Sequence, residues 1–297
     1  MKLFTLAPAK LNICLYVGGR RADGLHEICS LFQAVTLADV VTMERSAGDT
    51  DELVCPGVEG PNIAAVALER FRERFGWDRP AVKVTVEKHI PVASGLGGGS
   101  ADAGAVLRLA TRGAGVAARL EELQELAMSI GADVPSQVEP GSHLVLGAGE
   151  VVERLTKTWH IEALLLTTEE GLDTAAVYEL HDRRDHRLRR LDHDRALLEE
   201  AIATAAYDPL EFQALLENDL ERAALQLRPQ AERALELLRD AGARVARLSG
   251  SGPTAFGLFE SREQANAARA AIAPRWDGDV IGVHQAPSDY AVVRSSA

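Results

Sequence analysis

The sequence predicts an α+β protein of two domains. Three observations carry this reading. Residues 81–87 alternate apolar and polar side chains and lead through Pro91 into the run Gly95-Leu96-Gly97-Gly98-Gly99, with a helical pattern beyond it. Strand and helix patterns also alternate along the second half of the chain. The character of the chain changes near residue 155, which divides it into 1–155 and 156–297. A length of 297 residues, 46% of them hydrophobic, is enough for one large core or two medium ones.

Each element has its own local reason. Residues 11–17 are short and apolar and end at Gly18-Gly19, which predicts a strand closed by a turn, with a polar hook over 20–26. Residues 31–43, with Val35, Leu37 and Val41, predict one or two strands, although the first half also suits a helix; 62–75 predict a helix. In 81–87, Val82, Val84 and Val86 share one face. The helix after the glycines starts at about Ser100. Leu120, Leu123, Ala127 and Ile130 continue its apolar stripe to a stop at Gly131, so Asp133-Val134-Pro135 falls in the following loop.

A turn and short strand are expected over 147–155, a strand over 163–168 and a helix over 175–180. Residues 181–195 hold three histidines among charges of alternating sign, the pattern of a solvated surface rather than a metal site. Two amphipathic helices follow over 214–227 and 229–241. Strands at 245–248 and 255–259 flank Ser249-Gly250-Ser251-Gly252-Pro253, and a helix covers 262–273. No internal repeat or low-complexity tract is visible.

The formal net charge of -12 argues against a nucleic-acid partner, which calls for a basic surface, and leaves small anionic substrates open through local charge. Pro8 and Lys10 interrupt the N-terminal apolar residues, so neither a signal-peptide core nor a membrane span is expected there, and a cytoplasmic location follows. Cys14, Cys29 and Cys55 are odd in number and lack the paired spacing of a zinc or redox motif; buried free thiols are expected.

The glycine run is suited to phosphate. Without Cβ atoms, successive backbone N–H groups can close on the anion, and the helix that follows adds its positive end. No Gly-Lys-Ser/Thr closes the run as in a Walker A loop, Ser100 stands where a dinucleotide fingerprint needs its third small residue, and the valine-bearing loop of protein kinases is absent. Ser100 and Asp102 fall where helices favour caps. The Ser100 hydroxyl would also reach the phosphates or their Mg²⁺.

Three segments together resemble the motifs of GHMP kinases: Pro8-Ala9-Lys10-Leu11-Asn12, then Pro91-Val92-Ala93-Ser94-Gly95-Leu96-Gly97-Gly98-Gly99-Ser100-Ala101-Asp102-Ala103, then Leu248-Ser249-Gly250-Ser251-Gly252-Pro253-Thr254. Their order and separation also fit. Gly19-Arg20-Arg21-Ala22-Asp23-Gly24-Leu25-His26-Glu27, Gly131-Ala132-Asp133-Val134-Pro135 and Asn218-Asp219-Leu220-Glu221 are similar to the branch acting on a cytidine diphosphate-linked methylerythritol. This resemblance, which spans nearly the whole chain, implies an S5-like α/β ATP-binding domain and a ferredoxin-like C-terminal domain, with the active site in the cleft between them. It further implies ATP-dependent phosphorylation of the substrate's 2-hydroxyl, a step of non-mevalonate isoprenoid precursor synthesis.

By matched motif, the resemblance makes Lys10 and Asp133 the catalytic pair and assigns Pro91 to Ala101 to the phosphates, with Asn62 and Lys88 toward the nucleotide's base and sugar. On the substrate side it implies Asn12, Leu25, His26, Phe32 and Tyr178. The family usually carries tyrosine at the position of Leu25, which has no π-system, and stacking of a base on an aromatic is worth roughly 1–3 kcal/mol. The chemistry is coherent: phosphoryl transfer passes through a loose transition state, so Asp133 need only orient the hydroxyl and accept its proton late, while Lys10 orients Asp133 and offsets developing charge. The alternatives are a GHMP kinase of the homoserine or mevalonate type and a nucleotide-binding sensor without catalysis.

Overall fold

The computed structural model describes residues 2–78, 80–156, 159–184, 189–205 and 208–296. The chain starts with two long antiparallel strands, β1 (Lys2–Arg20) and β2 (His26–Arg45), in which three register shifts break the ladder. Both are buried through their middle stretches, which is why their apolar residues run on without alternating. Gly18-Gly19 does not end β1. The turn lies further on, where Arg21 N–H donates to the Leu25 carbonyl at 2.7 Å and Gly24 takes φ +86°. Gly18 instead admits Leu191, whose Cδ1 would lie 2.6 Å from a Cβ there.

Next come β3 (Glu52–Val54), α1 (Ile63–Phe75) with Asn62 as its N-cap, and β4 (Val82–Glu87). The expected single stripe after the glycines is two helices, α2 (Gly98–Ala114) and α3 (Leu120–Met128), because Gly115 takes the left-handed conformation that ends the first. Residues 134–135 begin not a loop but a one-turn helix, α4 (Val134–Val138), with proline in its first turn and Asp133 at the N-cap position. Strands β5 (Ser142–Gly147) and β6 (Val151–Arg154) complete this part.

The second half runs β7 (Glu162–Leu166), α5 (Thr174–Arg184), α6 (Leu191–Thr204), α7 (Glu221–Leu227), α8 (Gln230–Asp240), β8 (Val245–Leu248), β9 (Ala255–Phe259), α9 (Arg262–Ile272), β10 (Val280–His284) and β11 (Arg294–Ser296). The helix expected over 214–227 is divided: a 3₁₀ segment, Pro209–Leu215, takes its first two residues and α7 starts only at Glu221. Between them Leu15 N–H donates to the Glu217 carbonyl and Asp219 N–H to the Leu15 carbonyl, so 217–219 is drawn out alongside β1. Helix α6 and strands β10 and β11 had no clear sequence signal. Residues 185–188, within the charged 181–195 segment, lie outside the described residues.

Among the described residues the strands form two sheets. One has the path β11-β1-β2-β4-β3, with β5 on β2 and β6 on β5; the other has the order β10-β7-β9-β8 and is antiparallel throughout. In sequence order the second sheet reads 4-1-3-2 with helices between its strands, a ferredoxin-like arrangement, and the fold is α+β as expected. Cys14 and Cys29 are buried free thiols, and burial pushes both up in pKa; Cys55 is half-buried.

Candidate active site

The glycine loop is held between β1 and the turn after β8. Lys10 N–H donates to the Leu96 carbonyl at 2.9 Å, Ser249 Oγ to the Gly95 carbonyl at 3.1 Å, and Thr254 N–H to the Ser94 carbonyl at 3.2 Å. Gly95 (φ +82°) has no room for a side chain, since a Cβ would run into the Ser249 and Gly252 carbonyl oxygens. Gly97 (φ +70°) turns the chain into α2, whose first intrahelical bond runs from Ala101 N–H to the Gly97 carbonyl at 2.8 Å. The N–H groups of Gly98, Gly99 and Ser100 precede that bond and lie on the cleft wall, so they are available to an anion.

The cleft has a volume of about 420 Å³. Its walls include Pro91, Val92, Ala93, Ser94, Gly95, Gly97, Gly98, Gly99 and Ser100, together with Lys10, Asn12, Phe32, Asn62, Lys88, Asp133 and Tyr178. Leu96 and Ala101 are fully buried behind the loop, and their side chains do not face the cleft. Asn62 Oδ1 accepts from Ala64 N–H at 2.9 Å and so caps α1 while lining the cleft.

Lys10 and Asp133, far apart in sequence, meet with Nζ 3.2 Å from Oδ2. Lys10 is almost wholly buried, whereas the Asp133 side chain is one-third exposed to the cleft. The Lys10 ammonium also donates to Asn12 Oδ1 and lies 4.6 Å above the Phe32 ring. Asn12 in turn donates through Nδ2 to Ser30 Oγ at 3.0 Å, which fixes its oxygen toward the lysine. One cation is therefore aimed at a single reachable carboxylate.

Lys88 stands beside the start of α2. Its Nζ donates to Asp39 Oδ2 at 2.5 Å and to Asp102 Oδ2 at 2.8 Å. One ammonium cannot balance two carboxylates. Burial therefore pushes the Asp102 carboxyl up to about 7 against the pull of Lys88, with the Asp39 charge adding to the rise. Burial disfavours the Lys88 charge, but the Asp102 and Asp39 carboxylates together outweigh it and the lysine's pKa is raised. Asp102 Oδ1 has no hydrogen-bond partner although it is buried.

Of the residues expected on the substrate side, Asn12, Phe32 and Tyr178 line the cleft. His26 stands behind Tyr178, stacked on it with ring centroids 4.9 Å apart, and its Nε2 is 2.7 Å from Asp182 Oδ1. Leu25 sits in the β1–β2 turn, 42% exposed and away from the cleft wall.

Family models for the GHMP kinases N terminal domain and the GHMP kinases C terminal domain match residues 62–141 and 192–277. The chain is 40% identical over 295 residues to 4-diphosphocytidyl-2-C-methyl-D-erythritol kinase of Anaeromyxobacter sp. (strain K), covering 95% of this chain and 89% of that protein. The chain belongs to the GHMP kinase family. A crystal structure of 4-(cytidine 5'-diphospho)-2C-methyl-D-erythritol kinase is similar to it, with TM-score 0.75 and 30% identity over 96% of this chain and all of that one. Homoserine kinase from Cytophaga hutchinsonii, at TM-score 0.71 and 19% identity over 96% of this chain and 95% of that one, shares the fold. As a member of this GHMP kinase family the chain is an ATP-dependent small-molecule kinase of isoprenoid biosynthesis.

Sequence reasoning had left several cleft residues of this GHMP kinase unassigned. Ser251 and Thr174 pair hydroxyls at 2.9 Å on its wall, and a Cβ at Gly250 would come within 2.9 Å of Asn12 Oδ1. Ser251 and Gly250 belong to a glycine-serine turn visible in the sequence. Asp39 gave no signal: a lone carboxylate in a strand pattern, it accepts the Ile90 N–H at 2.8 Å as well as the Lys88 ammonium.

Proposed function

We propose that the enzyme transfers the γ-phosphate of ATP to the 2-hydroxyl of 4-diphosphocytidyl-2-C-methyl-D-erythritol, with Lys10 and Asp133 as the catalytic pair. The observation that carries this reading is the 3.2 Å contact of these two side chains in the same cleft as the glycine loop and the bare N-terminus of α2.

In the proposed mechanism the N–H groups of Gly98, Gly99 and Ser100 bind the phosphates, and Asn62 lies toward the nucleotide's base. Asp133 receives a hydrogen bond from the acceptor hydroxyl, orients its oxygen, and takes the proton as the new O–P bond forms. Lys10 holds the Asp133 carboxylate in place and offsets negative charge that builds on the transferring group. Its own position is kept by Asn12 and the Phe32 face. Lys88, engaged by two carboxylates, supports the loop from beneath rather than reaching for the nucleotide's base and sugar. The residues present also fit Mg²⁺. The unpartnered Asp102 Oδ1 and the Ser100 hydroxyl, two residues apart at the start of α2 and both in the cleft lining, would hold it, and the ion would supply positive charge against the phosphates.

Tyr178, backed by His26, together with Phe32 and Asn12, forms the proposed substrate side. Leu25, on the exposed turn, adds at most an apolar edge. The proposal includes domains of 1–155 and 156–297, with β11 returning to the first sheet, and a cytoplasmic setting, which the free thiols suit.

The test is ADP release by the purified protein with the diphosphocytidyl substrate, homoserine and mevalonate offered separately. Turnover is expected with the first alone; turnover with homoserine alone would overturn the substrate assignment. Asp133→Asn is expected to lower kcat about 100-fold or more while ATP binding stays nearly unchanged. Near-normal turnover of that variant would remove Asp133 from the mechanism.

A further inference from the structure

Arg108 lies on α2 one helical turn beyond Gly104, behind the cleft. Its Nη2 donates to the Leu6 carbonyl at 2.8 Å and its Nη1 to the Gln137 carbonyl. Leu6 is on β1 four residues before Lys10, and Gln137 is on α4 four residues after Asp133. One guanidinium thus ties together the two segments that end in the catalytic pair.

Secondary structure holds the two segments unequally. Leu6 and Lys10 both pair with β2, opposite Val40 and Ala34, but the ladder shifts register between Pro8 and Lys10, so the pairing at Leu6 does not by itself carry through to Lys10. Helix α4 has five residues, too few to be stable by itself, and the Asp133 side chain makes no capping bond to it. The direction of the Asp133 carboxylate therefore follows wherever α4 is seated. Part of that seat is α2: at Gly104 the helix backbones approach so closely that a Cβ would strike the Gln137 carbonyl.

Arg108 is a costly residue for mere filling. The residue is half-buried, its Nε is buried without a hydrogen-bond partner, no ion pair reaches it among the described residues, and burial pulls its pKa down to about 9. A methionine would fill the same volume. What methionine lacks is a rigid fork that bonds two carbonyls at once.

We propose that Arg108 is a positioning residue that sets the placement of Asp133 against Lys10, by fastening β1 and α4 to the same turn of α2. The proposal rests on the reading of Lys10 and Asp133 as the catalytic pair.

The test compares Arg108→Met and Arg108→Lys with the parent enzyme in kcat, KM for ATP and Tm, and repeats Arg108→Met on the Asp133→Asn background. In folded Arg108→Met, kcat should fall about 10- to 100-fold, the scale of a displacement of about 1 Å, with KM for ATP changed less than about twofold. Arg108→Lys, which keeps one donor at a time, should fall between. In the double variant the Arg108 change should add little to the loss already present, because it acts through Asp133. An unchanged kcat in a folded Arg108 variant, or the same further loss on both backgrounds, would overturn the proposal. If Arg108→Met does not fold, Arg108→Lys alone decides, since full kcat there would show that two-carbonyl bridging is not needed. Near-normal turnover in Asp133→Asn alone would instead remove the pair on which the proposal stands.

Discussion

His143 lies on β5, 3% exposed, and burial alone pulls its imidazole down to about 4. The folded protein therefore keeps this side chain neutral at pH values where the unfolded chain, with a histidine near 6.5, takes a proton. Its contribution to stability is present above about pH 6.5 and is lost as the pH falls toward 4. Between pH 7 and pH 5 this one residue should remove about 2 kcal/mol of unfolding free energy. In His143→Leu, denaturant unfolding at the two pH values should show a fall smaller by about that amount. An identical pH slope in parent and variant would mean that His143 is not held neutral.

At the scale of elements, the glycine loop and the turn after β8 are built as one unit. The loop supplies the Ser94 and Gly95 carbonyls that Thr254 N–H and Ser249 Oγ bond, and Asn218 Nδ2 holds the turn through the Leu248 and Gly250 carbonyls at 2.8 Å each. Because a Cβ at Gly95 would enter the Ser249 carbonyl, Gly95→Ala must push the two segments apart and spread the donors at the start of α2. KM for ATP should rise about tenfold, one lost charge-assisted hydrogen bond in size. Gly24→Ala is the control. Gly24 also has a positive φ, +86°, but a Cβ there would meet nothing nearer than 3.7 Å, so its KM for ATP should stay at the parent value.

At the scale of the whole molecule, the cleft takes Leu172, Thr174, Tyr178 and Leu220 from the second half of the chain and its remaining walls mainly from the first. A ligand that fills it binds the folded form alone and should stabilise both halves together. ATP at about 100 times its Kd should add about 2.7 kcal/mol, which for a chain of this length is a rise in Tm of about 4 °C. A single calorimetric transition that moves as a unit is expected. Two transitions of which ATP moves only one would show that the halves unfold separately.

What the sequence determined by itself was whatever depends on neighbours along the chain. Alternation at Val82, Val84 and Val86 marked β4, the glycines after Pro91 marked an anion loop, and the residues beyond them marked a helix start, all within a few turns of backbone. Motif resemblance then added Lys10 and Asp133 as names without a distance. Tertiary structure alone decided what lies across the sheet: that these two side chains touch, that His26 stands behind Tyr178 while Leu25 stays on an exposed turn, and that Gly18-Gly19 receives Leu191 instead of turning the chain. It also decided that 217–219 is drawn out beside β1 although the apolar pattern over 214–227 suits one continuous helix. The physical reason is one of range. Periodicity and turn chemistry report local backbone preference, whereas register, bulges and helix seating bring distant segments together through contacts that no local pattern encodes.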